Sequence, residues 1–155
     1  MRKYICILLL LALLTACAPN GSEQTQPTPS GGLSPETTVG ENEITVQTRY
    51  ATLSYPVAFE EVIQVSTTNY GQADALEFAG DVFGTVVPLY TLWFNGDAGL
   101  PVGTLITEAG EIKITVEIHP APDMTASELE TFYAAQETVN QVLFSLAENE
   151  GFTEA

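Results

Sequence analysis

Few side chains of this sequence could carry acid–base or metal chemistry. His119 is the only histidine, and Glu117 lies two residues before it, on the same face of the strand that this segment is expected to form. An imidazole beside a carboxylate suits a metal ion or a general base. A single solvent-facing histidine at the end of a strand is the ordinary alternative. The pair alone therefore does not define an active site.

The other candidate chemistry is weaker. Asn95-Gly96-Asp97 resembles the start of a calcium loop, but the later oxygen ligands do not follow, so a hairpin turn is the better interpretation. Glu60-Glu61 could form an acid–base pair, yet 20 acidic residues in 155 produce such pairs by chance. The sequence contains no Gly-rich phosphate loop, zinc-ligand spacing or G-x-S-x-G motif. We predict no catalytic residue, no metal site and no cofactor, and keep an enzyme of unknown type as an alternative.

The aromatic residues offer a candidate binding surface. Trp93, the only tryptophan, shares one parity of an apolar strand with Leu89, whereas Tyr90 and Leu92 have the other parity. If a helix covers Tyr90 and Leu92, the opposite face must be covered by a loop near Tyr55 or by a partner. Exposed aromatic patches mark binding sites, so Trp93, Leu89 and Tyr55 are the candidate surface. Internal cover by the loop remains the other interpretation.

Short strands followed by one helix are expected to position these residues. Apolar and polar residues alternate over 44–51 and over 111–119, which predicts half-buried strands. Pro88 interrupts the apolar strand that contains Trp93 and predicts a β-bulge or an edge position there. Thr125 and Glu128 fit a capping box that opens a helix to about residue 148. The fold class predicted is α+β: an antiparallel meander of five to six strands with one long C-terminal helix packed on a face.

The N-terminus has the features of a secretory signal. Arg2 and Lys3 precede an apolar run that is too short to cross a bilayer, and residues 14–17 read Leu-Thr-Ala-Cys. Residues 14–17 resemble the lipobox of bacterial lipoproteins, whose cysteine receives a diacylglyceryl thioether. The resemblance implies a signal peptide at 1–16 and lipidation of Cys17. The polar, Pro- and Gly-rich composition of residues 17–43 then predicts a flexible tether, and residues 44–155 one acidic domain.

Charge limits the partners of this domain. Arg2 and Lys3 fall in the predicted signal, so cleavage takes the formal net charge from −16 to −18. Nucleic acid is excluded, because its binding depends on Lys and Arg neutralising phosphates. The acidity serves solubility or attracts a cation or basic partner. Cys6 leaves with the signal and Cys17 takes lipid, so the predicted domain contains no disulfide.

The domain resembles small bacterial lipoproteins of Gram-positive anaerobes, especially gut Firmicutes, whose functions are not established. The likeness rests on three segments: Tyr50-Ala51-Thr52-Leu53-Ser54-Tyr55-Pro56, Leu89-Tyr90-Thr91-Leu92-Trp93-Phe94 and Pro101-Val102-Gly103-Thr104-Leu105. A strand ending in Tyr-Pro, a meander and a terminal helix are more distantly similar to the Mog1/PsbP-like fold. The resemblance supplies no catalytic residues.

Together, these observations predict a lipid-anchored protein on the extracytoplasmic face of the cell membrane, or on an outer membrane if the host is Gram-negative. Its expected role is that of a non-catalytic binding or accessory module with a cell-surface protein or glycan as partner. Capture of a small cationic ligand or metal by the acidic face is the alternative.

Overall fold

The strands form two antiparallel sheets in the computed structural model, which describes residues 32–108 and 110–155. The small sheet contains β1 (Glu36–Val39), β2 (Glu43–Gln47) and β3 (Thr52–Pro56), and each strand pairs with the next along the chain. A short 3-10 helix, Val57–Phe59, follows β3 and leads to the large sheet.

The large sheet has six strands in the order β4-β5-β6-β8-β7-β9. They are β4 (Ile63–Tyr70), β5 (Ala73–Val82), β6 (Thr85–Phe94), β7 (Leu100–Thr107), β8 (Gly110–Ile118) and β9 (Phe152–Glu154). Because β8 lies between β6 and β7, the loop 95–99 is a crossover, and the predicted hairpin turn at this position is wrong. Gly99 has φ +80 in this loop, and a Cβ there would lie 2.2 Å from the carbonyl oxygen of Val116. The close approach of two backbones thus requires glycine.

The C-terminal helical segment consists of α1 (Ala126–Gln136) and α2 (Thr138–Ala147). The predicted capping box is confirmed: Thr125 accepts from the backbone N–H of Glu128, whose carboxylate accepts from the backbone N–H of Thr125. The helix is interrupted at Glu137. The hydroxyl of Thr138 donates to the carbonyl of Ala135 at 2.6 Å, and this local bond competes with the helical ladder.

The core lies between the large sheet and the layer formed by the small sheet and the helices. The rings of Phe78 and Tyr90 stack with centroids 4.6 Å apart, and Tyr55 from β3 meets Phe78 edge-on at 6.3 Å. The Tyr90 hydroxyl lies 3.0 Å from that of Thr138 on α2. We call this buried side of the large sheet its inner face. The predicted α+β class, with an antiparallel sheet and a C-terminal helical segment packed on it, is confirmed.

Polar contacts join α2 and the residues directly after it to the open edge of the small sheet. The side-chain amide of Asn149 accepts from the backbone N–H of Thr52 and donates to its carbonyl, both at 2.8 Å. The hydroxyl of Ser145 accepts from the N–H of Ser54 at 2.8 Å. These two side chains, four residues apart, satisfy backbone groups of β3 that would otherwise be free to pair with another strand.

The folded part begins earlier than the predicted boundary at residue 44. Leu33 is buried, with 4% of its surface exposed, and β1 (Glu36–Val39) pairs with β2. Residues 32–43 therefore belong to the same compact unit as the rest of the domain. The predicted signal peptide 1–16 and lipidated Cys17 lie outside the described residues.

The β-bulge predicted near Pro88 is confirmed. Ala79 on β5 pairs with Pro88, and the preceding residue Phe78 pairs with Tyr90, so Leu89 is the extra residue of β6. An extra residue shifts the alternation of side chains by one position. Leu89 and Tyr90 consequently both lie in the core, with 0% and 1% of their surface exposed.

Candidate functional site

A groove of about 380 Å³ lies on the outer face of the large sheet. It crosses β4, β5, β6 and β8, and we call it the Trp93 groove. Its lining residues are Ser66, Tyr70, Glu77, Phe78, Ala79, Val86, Pro88, Thr91, Trp93, Glu117 and His119. The groove therefore combines aromatic, carboxylate and hydroxyl groups on one sheet face.

The strand register explains how these side chains come together. On the outer face, Glu77 of β5 and Glu117 of β8 pair with Thr91 of β6 from its two sides. In the next row, Trp93 pairs with Ala75 and Thr115. The side chains of Ala75 and Thr115 are small, which leaves room for the indole on the sheet. Directly opposed side chains lie about 5 Å apart, so each row acts as a unit.

Trp93 is held by two contacts. Its indole N–H donates to Oε2 of Glu117 at 3.3 Å, and its ring lies 5.3 Å from that of Tyr70 at an interplanar angle of 53°. Trp93 is half-buried, whereas Tyr70 has 60% of its surface exposed. A Cβ added to Gly96 would lie 2.8 Å from Cβ of Trp93, so the backbone of the crossover loop packs closely against the tryptophan side chain. The aromatic pair is thus positioned and still accessible.

His119 and Thr91 form the other fixed contact of the groove. Thr91 is buried, and its hydroxyl lies 2.8 Å from Nε2 of His119. The backbone N–H of His119 donates to the carbonyl of Leu89 at 3.0 Å, and the amide of Gln136 donates to the carbonyls of both residues. These bonds fix the end of the strand that carries the imidazole. The predicted placement of His119 and Glu117 on one face is confirmed, since both line the groove.

The groove carries negative charge. Its lining residues include Glu77 and Glu117 and contain neither lysine nor arginine. The hydroxyl of Ser66 donates to Oε2 of Glu77 at 3.4 Å. Lys113 instead donates to Asp97 at 2.7 Å in the crossover loop, and this hydrogen bond holds the pKa of Asp97 below its ordinary value. Asp97 thus forms an exposed ion pair with Lys113.

Arg49 lies on the inner side of the large sheet. It pairs with the buried carboxylate of Asp74, which also accepts from the hydroxyl of Tyr50 at 2.8 Å. Burial, reinforced by the Asp74 carboxylate, raises the pKa of the Tyr50 hydroxyl. This cluster connects the chain between β2 and β3 to β5 and so fastens the small sheet to the large one.

Of the three residues predicted as a binding surface, only Trp93 lies in the groove. Leu89 and Tyr55 are core residues, with 0% and 3% of their surface exposed, which corrects their assignment to a surface. The bulge at Leu89 separates its side chain from the face of Trp93, and Tyr55 covers Phe78 on the inner face. The loop near Tyr55 therefore does not cover Trp93.

Tyr70, Glu77 and Thr91 are groove residues that the sequence interpretation missed. Each pairs in register with a neighbouring strand, and register cannot be obtained from the alternation of one strand. The only available signal was that Thr91 and Trp93 lie two residues apart on one strand and so share a face.

Among residues 32–108 and 110–155, no three His, Cys, Asp or Glu side chains gather closely enough to hold a metal ion. In the described part of the chain, no helix has both the length and the apolar composition needed to cross a bilayer.

The chain matches no protein-family model, no curated protein and no solved structure.

Proposed function

We propose that this protein is a non-catalytic binding module, anchored by lipid on Cys17 to the extracytoplasmic face of the membrane, and that it binds its ligand in the Trp93 groove. The position of Trp93 is the main support for this proposal. Trp93 is the only tryptophan of the chain, and it lies in an open groove on the outer face of the sheet beside the exposed Tyr70. Large aromatic side chains contribute most to binding when they are positioned in this way.

The polar groups of the groove suit binding better than catalysis. The hydroxyl that contacts Nε2 of His119 belongs to Thr91, which is buried with 4% of its surface exposed, and the carboxylate of Glu117 accepts from the indole of Trp93. Groups held in this way orient a ligand by hydrogen bonds and charge. The opposite layer of the domain, formed by the helices and the small sheet, gives the groove a rigid base.

The lipobox-like Leu-Thr-Ala-Cys supports the proposed location. Stable anchoring needs two acyl chains, and the single diacylglycerol on a lipidated Cys17 would supply both. Metabolic labelling with a fatty-acid analogue is expected to label the full chain and not Cys17→Ala. Labelling of both proteins would contradict lipidation at this cysteine.

Site-specific photocrosslinking in living cells of the host tests the binding function. A photoreactive residue replaces Val86, which lines the groove with 54% of its surface exposed, or, as a control, Phe144 on α2, which has 72% of its surface exposed. We expect a covalent adduct from position 86 that disappears when Trp93→Ala is added. Equal adducts from both positions, or an adduct that persists without Trp93, would contradict a ligand site in the groove.

A further inference from the structure

We propose that the ligand of the Trp93 groove is an organic cation, a protonated amine on an aliphatic chain. The amine lies against the rings of Trp93 and Tyr70 and beside the carboxylates of Glu77 and Glu117. This inference rests on the proposed function, because it names the ligand class of the same groove.

The arrangement of the two aromatic rings suits the binding of a cation. The rings of Trp93 and Tyr70 are tilted by 53° with centroids 5.3 Å apart, so they form an open wedge rather than a closed stack. A cation within about 6 Å of a ring centroid is attracted by the negative face of the ring, and tryptophan is the strongest partner. A methylene chain beside the ammonium would contact the same rings.

The carboxylates supply the complementary charge. Glu77 and Glu117 lie on β5 and β8, which are separated by β6, so their backbones are roughly 9–10 Å apart at two strand spacings. A ligand with two amines joined by a short chain can place one beside each carboxylate. The net charge of −16 adds a field that attracts cations to the whole domain.

The same domain already contains this arrangement once. The guanidinium of Arg49 lies 4.6 Å from the ring centroid of Tyr50 and pairs with the carboxylate of Asp74. A cation, an aromatic ring and a carboxylate thus meet within the fold. In the Trp93 groove, the rings and the carboxylates are present on an accessible surface, and a ligand would provide the cation.

The far end of the groove fits an aliphatic chain. Pro88 and Val86 line it, and Val86 has 54% of its surface exposed. An alkylamine can therefore direct its charge to Trp93 and its methylene groups along β6 toward Pro88. This division of the groove favours an amine over a metal ion, because metal ions are bound by oxygen, nitrogen and sulfur ligands and not by aromatic and apolar side chains.

Fluorescence of Trp93 reports this binding directly, because the chain has no other tryptophan. The full chain, purified in non-ionic detergent, is titrated with cadaverine, spermidine or Nα-acetyl-lysine amide, and the diol with the chain length of cadaverine serves as the neutral control. We expect a saturable change with the amines and none with the diol. A response to the free polyamines only indicates a small-molecule ligand, and an equal response to the lysine amide indicates a lysine side chain of a peptide.

Isosteric variants locate the charge. Glu77→Gln and Glu117→Gln should each weaken amine binding about tenfold, the effect of losing one favourable charge contact of ordinary strength. Glu111→Gln, an exposed position at the other end of β8, should bind like the unchanged protein. Far-UV circular dichroism confirms that all three variants fold.

Two results would overturn the inference: no saturable change at millimolar amine, or unchanged affinity in both Glu77→Gln and Glu117→Gln. A saturable response to a neutral oligosaccharide without a response to amines would reject the cation and leave the binding groove in place. The photocrosslinking experiment addresses the groove itself and fails independently of the ligand class.

Discussion

On the inner face of the large sheet, aromatic rings are fully buried and contact one another, as Phe78 and Tyr90 do. On the outer face, Trp93 and Tyr70 contact each other at a similar distance but remain open to solvent beside two carboxylates. Strand β6 contributes to both faces. Aromatic residues therefore stabilise the fold on the inner face and offer a binding surface on the outer face. On β6, the alternation of side chains after the bulge places Tyr90 on the inner face and Trp93 on the outer face.

The largest contrast is expected between Phe78→Ala and Trp93→Ala. Loss of Phe78 leaves a cavity in a close-packed layer and should lower the free energy of unfolding by about 3–5 kcal/mol. Loss of the half-buried Trp93 leaves no enclosed cavity and should cost about 1 kcal/mol. Urea unfolding followed by far-UV circular dichroism measures both. Equal losses would mean that the outer face is as much a part of the core as the inner face.

The layer behind the inner face also depends on polar contacts. Asn149→Ala removes both hydrogen bonds to the backbone of Thr52 and should lower the free energy of unfolding by about 1–3 kcal/mol. Asn140→Ala, an exposed position on α2, is the matched control and should change it by less than about 0.5 kcal/mol. The same loss in both variants would show that the bonds between Asn149 and Thr52 are not its cause.

Backbone strain is expected at the turn between β5 and β6. Phe83 there has φ 51 and 69% of its surface exposed, a conformation that a bulky residue adopts at a cost. Phe83→Asn, before Gly84, should raise the free energy of unfolding by about 1 kcal/mol, since Asn-Gly favours this turn. Phe83→Ala serves as the control and should give no such gain. A gain in both variants would assign the effect to removal of an exposed apolar side chain.

The smallest effect concerns the start of α1. Hydrogen bonds from the hydroxyl and the backbone N–H of Thr125 hold the pKa of Glu128 below its ordinary value. The charged carboxylate therefore stabilises the fold above its unfolded pKa of about 4.3. This contribution is lost as the pH falls through the lower folded pKa.

Thermal unfolding of the unchanged protein and of Glu128→Ala between pH 7 and pH 2 tests this prediction. The melting temperature of Glu128→Ala should be lower at pH 7, and the difference should shrink toward pH 2. A difference that stays constant with pH would show that the charge of Glu128 is irrelevant to the cap.

Local patterns in the sequence predicted several elements correctly. The alternation of β8 places Ile112, Ile114 and Val116 in the core and His119 on the other face. Thr125 and Glu128 marked the helix start, and Pro88 marked the bulge. Each of these features depends on residues that are close in the chain.

Features that depend on distant residues were missed. The interruption at Glu137 has no glycine or proline to signal it and arises where Thr138 meets Tyr90 of β6. The position of β8 between β6 and β7 brings Glu117 beside Thr91 and Trp93, and no local pattern contains that pairing. The bulge itself was expected, but its effect on the direction of Leu89 required the register.

Fluorine NMR of the full chain labelled with fluorotryptophan tests most directly whether the outer face is the binding face. Trp93 is the only tryptophan, so the spectrum contains one resonance from the Trp93 groove. We predict that a soluble extract of the cell envelope shifts this resonance to saturation and that Tyr70→Ala weakens the effect. An unchanged resonance, while the same extract retains the protein in a pull-down, would place binding elsewhere and contradict the account.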